Sequence, residues 1–470
     1  KKGKKKFKWV KELLFGDWIG LYTDTQGQPI YEEIKGIQYL KVHGRNKDGF
    51  IKPSEIQHNK ILEVNFVDVG QGDGCHIVTP EDDHYIIDAG PKDNMFRFLT
   101  WRYNLKKTGN FPPPMTVVIS HSDDDHYMGF TKIFEHTKEG RKTFSIKKVY
   151  HNGMIEKGSS DEASLGTLVI NESIPYITDL CDTNEQFKQR VTDNPQLNAN
   201  YINMLLKTDA EKQSLRAGFS PLGSQTAVME LLGPVAANIM GKPALPVFKS
   251  DKGKTKNGHS VIVKLSIGKM RILLGGDLNE PAEDYLIKHY TGVDLEPLRK
   301  KLLSESPTVR DNAKESIKIA VEDARQTFQV DIAKSCHHGS SDFTSEFMNA
   351  VFPLATIISS GDEEPHCHPR PDTLGTIGKY SRGERALIFS TELSRSTPEF
   401  LKQIKSTASS SSDKSITKER LVTVYGMINV RTDGEKVIIA QKLEAPATRG
   451  SWDIHELHWD NSINQFIYKF

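Results

Sequence analysis

The sequence predicts an α/β protein of enzyme size, and three observations lead to that class. Strand-sized apolar runs such as Ile61–Val69 and Val117–Ser120 recur and stop at glycine or carboxylate turns. Helix-like stretches near Phe96–Leu105, Leu295–Leu303 and Ala313–Phe328 lie between them. A length of 470 residues exceeds one ordinary core and suits several domains, or one large two-layer enzyme domain with an appendage.

Composition narrows the function classes. With 37% hydrophobic and 26% charged residues and a mean hydropathy of −0.49, the chain reads as globular with a polar surface. No apolar run reaches the ~18 residues a membrane helix needs, and no signal-peptide-like segment follows the N-terminal lysines. Neither membrane insertion nor secretion is expected, and the expected location is cytoplasmic. Cys75, Cys181, Cys336 and Cys367 are scattered without a CxxC pair, in keeping with a reducing compartment. Basic and acidic residues nearly cancel, 62 against 61, but the first 60 residues hold 13 basic and 7 acidic side chains. Lys4, Lys5, Lys6 and Lys8 belong to this basic N-terminal arm, residues 1–15, a candidate nucleic-acid contact whose bland alternative is a solvated tail.

Residues 16–60 carry short strands with glycine turns, including Ile37–Val42, a polar turn at Gly44–Gly49 and Phe50–Ile51, which predict a small β-barrel. From Ile61 onward, three short strands ending at Val69, Val78 and Ile87 predict an antiparallel meander whose last strand closes on Asp88-Ala89-Gly90. After the Pro112-Pro113-Pro114 break comes the buried strand ending at Ser120. Polar spans at about 155–216 and 285–327 are expected to be insertions riding on the core, residues 406–414 a flexible loop, and Leu421–Val424 and Val437–Ile439 further strands.

His121-Ser122-Asp123-Asp124-Asp125-His126 follows that buried strand directly, where an α/β sheet presents side chains to a crevice. Two histidines and three carboxylates packed this closely are costly to bury without a cation. Other His and Asp clusters adjoin strand-like runs in the same way: Asn257-Gly258-His259-Ser260, Gly275-Gly276-Asp277, Cys336-His337-His338-Gly339-Ser340 and His366-Cys367-His368-Pro369. That recurrence predicts a metal site at one edge of a β-sandwich.

The order Asp68-Val69-Gly70-Gln71-Gly72-Asp73, Ile87-Asp88-Ala89-Gly90, His-x-Asp-x-Asp-His, Gly-Gly-Asp, His-His-Gly-Ser and His-Pro resembles the metallo-β-lactamase fold. It is most similar to the soluble hydrolase domain of ComEC-type competence proteins involved in DNA uptake, across roughly residues 61–400. The run Lys41–Ile51 resembles the closing hairpin of bacterial SH3-like domains. These resemblances imply an SH3-like barrel at 16–60 and an αββα sandwich over 61–470 with two divalent ions, zinc or manganese, with magnesium as a third choice. Carried over residue by residue, they imply His121 and Asp123 on one ion, Asp125 and His126 on the other, and Asp277 bridging. They imply further that His259 completes the first site and His368 the second. His338, beside His337, is implied as the general acid; Asp88 orients ligands, and Asp73 either does so or stabilises its own turn. Asp123 stands where most of the superfamily carries His, an oxygen-richer donor set that favours Mn²⁺ or Mg²⁺ relative to Zn²⁺. Met128 stands where the branch shows glycine, and is expected near the pocket.

The expected function is therefore metal-dependent hydrolysis of phosphodiester bonds in nucleic acid by a hydroxide held between two cations, with a regulatory protein partner as an added expectation. The competing readings are hydrolysis of a small cyclic or dinucleotide signal or another ester or amide, and a catalytically inactive binding or scaffold protein.

Overall fold

The computed structural model of the chain describes residues 8–45, 47–156, 162–193, 199–361, 366–391, 427–447 and 450–469. Lys4, Lys5 and Lys6, the 406–414 stretch and the strand expected at Leu421–Val424 lie outside these residues.

Alternation along the central strands sorts the chain into layers. In strand His84–Ala89, Tyr85 and Ile87 enter one buried cluster while Ile86 enters another; in Met115–Val118, Val118 and Val117 divide in the same way. Successive side chains on a strand point to opposite faces, so a sheet apolar on both faces has to be covered on both. The inner cluster joins this sheet to a second one through Val263, Leu265, Ile272 and Ile357. Outside the first sheet pack Phe98, Leu99, Phe130 and Phe134 from helices Asn94–Arg102 and Gly129–Glu135. Outside the second, Ile262 and Leu273 meet Leu286, Ile287, Ala324 and Phe328. The layers are helix, sheet, sheet, helix, an αββα arrangement.

Among the described residues the first sheet has ten strands in the order Glu211–Ser214, Ile146–His151, Met115–Val118, His84–Ala89, Gly74–Val78, Leu62–Phe66, Ile428–Thr432, Val437–Ala447, Gly450–Asp460 and Gln465–Tyr468. The three strands of the expected meander pair antiparallel in sequence order. The second sheet runs Ala227–Gly233, Ile262–Ile267, Met270–Leu274, Ile332–Lys334, Ala355–Ile358 and Leu387–Ser390.

Two expected insertions turn out to contribute to the sandwich, although strands Leu168–Asn171 and Ile174–Ile177 of the first lie in a separate sheet with Ala237–Ile239 and Lys242–Pro246. Helix Pro307–Phe328 buries Ala320, Ala324 and Phe328 against the second sheet, so the 285–327 span is a layer whose polar residues form the solvent face of an amphipathic helix. The 155–216 span ends in Glu211–Ser214, the parallel edge strand of the first sheet.

Residues 16–60 form an antiparallel sheet in which the long strand Ile37–Gly44 pairs with Gly20–Leu21, Tyr31–Ile34 and Lys47–Ile51. The hairpin register sets Val42 opposite Gly49 and Lys41 opposite Phe50. Buried Arg431 fastens this unit to the first sheet: its Nη1 donates to Asp17 Oδ1 at 2.7 Å and to the Phe15 carbonyl at 2.9 Å, while Arg45 takes the other oxygen of Asp17 at 2.5 Å. No helix among the described residues is long and apolar enough to cross a membrane.

Candidate metal centre

The chemistry-bearing turns leave the ends of strands in both sheets and meet at one edge of the sandwich. Met115–Val118 runs into His121, Met270–Leu274 into Asp277, and Ile332–Lys334 into His337 and His338. The last turn needs a sharp reversal: His337 (φ 49°), His338 (φ 53°) and Gly339 (φ 84°) are all left-handed, a conformation that costs free energy for residues with a Cβ and that recurs at functional sites. It aims the buried His338 ring inward.

Asp125, His126, Asp277 and His338 each place one ligand atom within 4.8 Å of all the others. His126 Nε2 lies 3.2 Å from Asp277 Oδ1, and His338 Nε2 lies 3.3 Å from Asp277 Oδ2 and 3.2 Å from Asp125 Oδ2. The opposite ring nitrogens set which tautomer faces inward. His126 Nδ1 donates to Asp88 Oδ2 at 2.8 Å and His338 Nδ1 to the Ser359 carbonyl at 3.1 Å, so both Nε2 lone pairs point at the cluster. Asp88, itself left-handed at φ 57°, accepts the Ser120 N–H with its other oxygen.

This donor set fits a divalent cation. With the rings in these neutral tautomers, His126 Nε2, His338 Nε2, His121 Nε2 and Asp277 Oδ1 are buried with no hydrogen-bond partner among the described residues. Leaving one such group unsatisfied costs about 1–3 kcal/mol, and a cation would satisfy several at once. The charges agree. Burial works against ionising Asp277, yet His126, His338 and His337 hold its carboxyl well below the ordinary range. Burial likewise disfavours charged imidazole, but Asp277, Asp88 and Asp125 raise His126 well above its usual value, and Asp277 and Asp73 do the same for His338. Cation binding would therefore displace protons from both rings.

Some expected ligands sit elsewhere. His259 is turned away: its Nε2 donates to the Pro246 carbonyl at 2.7 Å and its ring stacks on Phe248 at 4.5 Å, burial that lowers it to about 4. His368 remains outside the four-ligand group, with its Nδ1 3.3 Å from Gln71 Nε2 and its ring centroid 6.4 Å from that of His338. His338, which the left-handed turn brings inward, joins Asp125, His126 and Asp277 in the group that His368 was expected to complete. His337 is the more exposed of the pair, with Nε2 3.8 Å from Asp277. His121 Nε2 lies 3.4 Å from Asp123 and 4.0 Å from Asp277. Asp73 pairs with buried Lys334 and lies 3.2 Å from His338 Nδ1; burial opposes its ionisation, but Lys334 and His338 bring it down to about 2. Met128 packs against the helical core outside the first sheet. Lys8 is exposed.

Several residues that the pattern did not single out matter here. Ser260 Oγ donates to the Asn257 carbonyl and accepts from Asp277 N–H at 3.1 Å and from His121 Nδ1 at 3.3 Å. Lys334 Nζ also donates to the Gly276 carbonyl at 3.0 Å, which fixes the turn that carries Asp277. Their only signal in the sequence was adjacency: each lies inside or beside a quoted motif.

Fold and site together define an αββα protein with a His/Asp cluster, at one sheet edge, suited to a divalent cation. No protein-family model and no curated protein matches the sequence. Among solved structures the chain is similar to a metal-dependent hydrolase of the beta-lactamase superfamily, at 11% identity over 70% of this chain and 95% of that one, with a TM-score of 0.28. It is also similar to a beta-lactamase domain protein from Burkholderia ambifaria, at 12% identity over 64% of this chain and 76% of that one, with a TM-score of 0.21.

Proposed function

We propose that the protein is a metal-dependent hydrolase of the metallo-β-lactamase type that cleaves phosphodiester bonds of nucleic acid. The observation that carries the hydrolase reading is the convergence of Asp125, His126, Asp277 and His338 on one point, where His126 Nε2, His338 Nε2 and Asp277 Oδ1 have no hydrogen-bond partner among the described residues. The phosphodiester part is supported by the motif order shared with the DNA-uptake branch. A bound cation supplies Lewis acidity toward a phosphoryl oxygen and lowers the pKa of water.

The chain's own groups do the rest. Asp88 and the Ser359 carbonyl hold the two imidazoles in the tautomer that leaves Nε2 free. Asp73 and Lys334 brace His338 and the Asp277 turn. In this reading His337, partly exposed with Nε2 3.8 Å from Asp277, gives a proton to a departing oxygen, against a burial that lowers it below its usual value. In this reading residues 16–60 act as an SH3-like module, and Lys4, Lys5, Lys6 and Lys8 hold the polyanion.

The test is incubation of single-stranded DNA, duplex DNA and RNA with wild type, Asp125→Ala and Asp277→Ala in Mn²⁺, Mg²⁺ or Zn²⁺. Cleavage by wild type alone is expected. Equal cleavage by the variants would remove the cluster from the mechanism, and no cleavage by a metal-loaded wild type would remove nucleic acid as the substrate.

A further inference from the structure

We infer that the centre holds one divalent cation, in the pocket of Asp125, His126, Asp277 and His338, and that the ammonium of Lys256 takes the place of a second. The inference rests on the metal-dependent reading above and concerns how many ions that site accepts.

Both oxygens of Asp123, the carboxylate expected on the other ion, are already engaged. Lys256 Nζ ion-pairs with Oδ1, and Oδ2, 3.4 Å from His121 Nε2, accepts from the Asn257 amide nitrogen at 2.8 Å once that amide is turned to the orientation its neighbours satisfy. The third donor expected there, His259, is stacked on Phe248 and bonded to Pro246. The neighbouring Ser260 hydroxyl gives its proton to the Asn257 carbonyl and accepts from Asp277 N–H and His121 Nδ1. On that side His121 Nε2 and His337 Nε2 lie 4.0 and 3.8 Å from one oxygen of Asp277, but among the described residues no three ligand atoms that include either ring come within 4.8 Å of one another, whereas catalytic sites for such ions bring about three protein ligands onto one point.

A second group of close carboxylate and imidazole atoms, Asp73, Asp88 and His126, offers no alternative. There the imidazole presents Nδ1–H, already given to Asp88, and Asp73 is held by Lys334.

Lys256 is built in. It sits on helix Lys252–Gly258, whose start is capped by Asp251 accepting Lys254 N–H at 2.8 Å. Its side chain is 14% exposed and backed by Glu156 Oε2 at 3.5 Å, while Glu156 Oε1 pairs with Lys252 at 2.5 Å. Of the carboxylates around the cluster, Asp123, Asp125 and Asp277 are matched by one divalent ion and one ammonium, Asp73 by Lys334, and Asp88 accepts the His126 N–H.

The experiment is metal stoichiometry by mass spectrometry on protein equilibrated with excess Mn²⁺ and freed of unbound ion, with Mn²⁺ affinity measured by calorimetry. Wild type and Asp123→Asn are expected to hold one ion per chain each, and Lys256→Gln to bind Mn²⁺ several-fold more tightly. Two ions in wild type, or loss of the ion in Asp123→Asn, would overturn the inference and leave the hydrolase reading standing. An unchanged affinity in Lys256→Gln would overturn the role given to the lysine. No ion in wild type would overturn the metal-dependent reading itself.

Discussion

Asp88 holds the site together from just behind the His/Asp cluster. It ends a buried strand in a left-handed conformation, and its two oxygens tie the Ser120 backbone to the His126 ring. Both bonds need a carboxylate, since an amide presents one acceptor only. Asp88→Asn, a residue that tolerates φ of 57°, is expected to keep the fold and to weaken metal binding about 10–100-fold, the usual cost of losing a ligand's orienting partner. Calorimetric metal titration with a parallel thermal melt checks it; unchanged affinity would deny Asp88 that role. At this scale the sequence spoke through clustering: two histidines and three carboxylates within six residues have few structural explanations. It could not say which of His259, His337, His338 and His368 turns inward, because ring direction is set by a left-handed turn at 337–339 and by Phe248 stacking, both made by distant contacts.

Among elements, the turn at Asp123–Tyr127 and the helix after it are held by glycines that allow close backbone approach. A Cβ on Gly129 would sit 2.1 Å from the Ala89 carbonyl oxygen and 2.7 Å from that of Lys92, and backbone cannot swing aside as a long side chain can. Gly72 is similar: a Cβ there would meet the Asp125 carbonyl oxygen at 2.2 Å, at a φ of 131°. Gly129→Ala should therefore push helix Gly129–Glu135 off the sheet and destabilise the protein by about 1–3 kcal/mol or more, despite the better helix propensity of alanine. Urea denaturation measures the change. Stability equal to or above wild type would contradict the packing described. The departure visible in the sequence at Tyr127-Met128-Gly129 is thus a matter of packing: glycine is retained where space is absent, and methionine stands where the outer core accepts it.

For the whole molecule, the buried histidines away from the centre set the response to acid. Burial, with nearby cations adding to it, holds His76 down to about 3 and His151 to about 4, and burial holds His259 to about 4. These rings stay neutral in the folded protein, while in the unfolded chain they take up protons from about pH 6.5 downward. Their depressed values mean that stability is complete above pH 6.5 and is lost as pH falls toward 4. Glu63 acts lower: burial opposes its charge, but Arg431 and Arg102 bring it to about 2, so its contribution is present above its ordinary carboxylate range and is lost as pH falls toward 2. His126 and His338, whose values are raised, act in the opposite sense above pH 6.5 in metal-free protein. The melting temperature of metal-free protein should fall steadily between pH 6.5 and 4.5, less steeply in His151→Gln. A flat profile across that range would contradict this account.

The sequence by itself determined the α/β class, the main central strands and the cluster of chemistry at their ends. Those rest on local signals: period-two alternation, β-branched runs, glycine turns and the density of His and Asp in short spans. It also marked Asp277 and the 121–126 run as candidates, since their residue types and spacing are readable without coordinates. Tertiary structure decided the rest. It made the 285–327 span a covering layer, because burial of one helix face depends on the sheet beneath it. It tied Asp123 to Lys256, turned His259 into the core and swung His338 to the cluster, since each of these depends on atoms brought from strands distant in sequence.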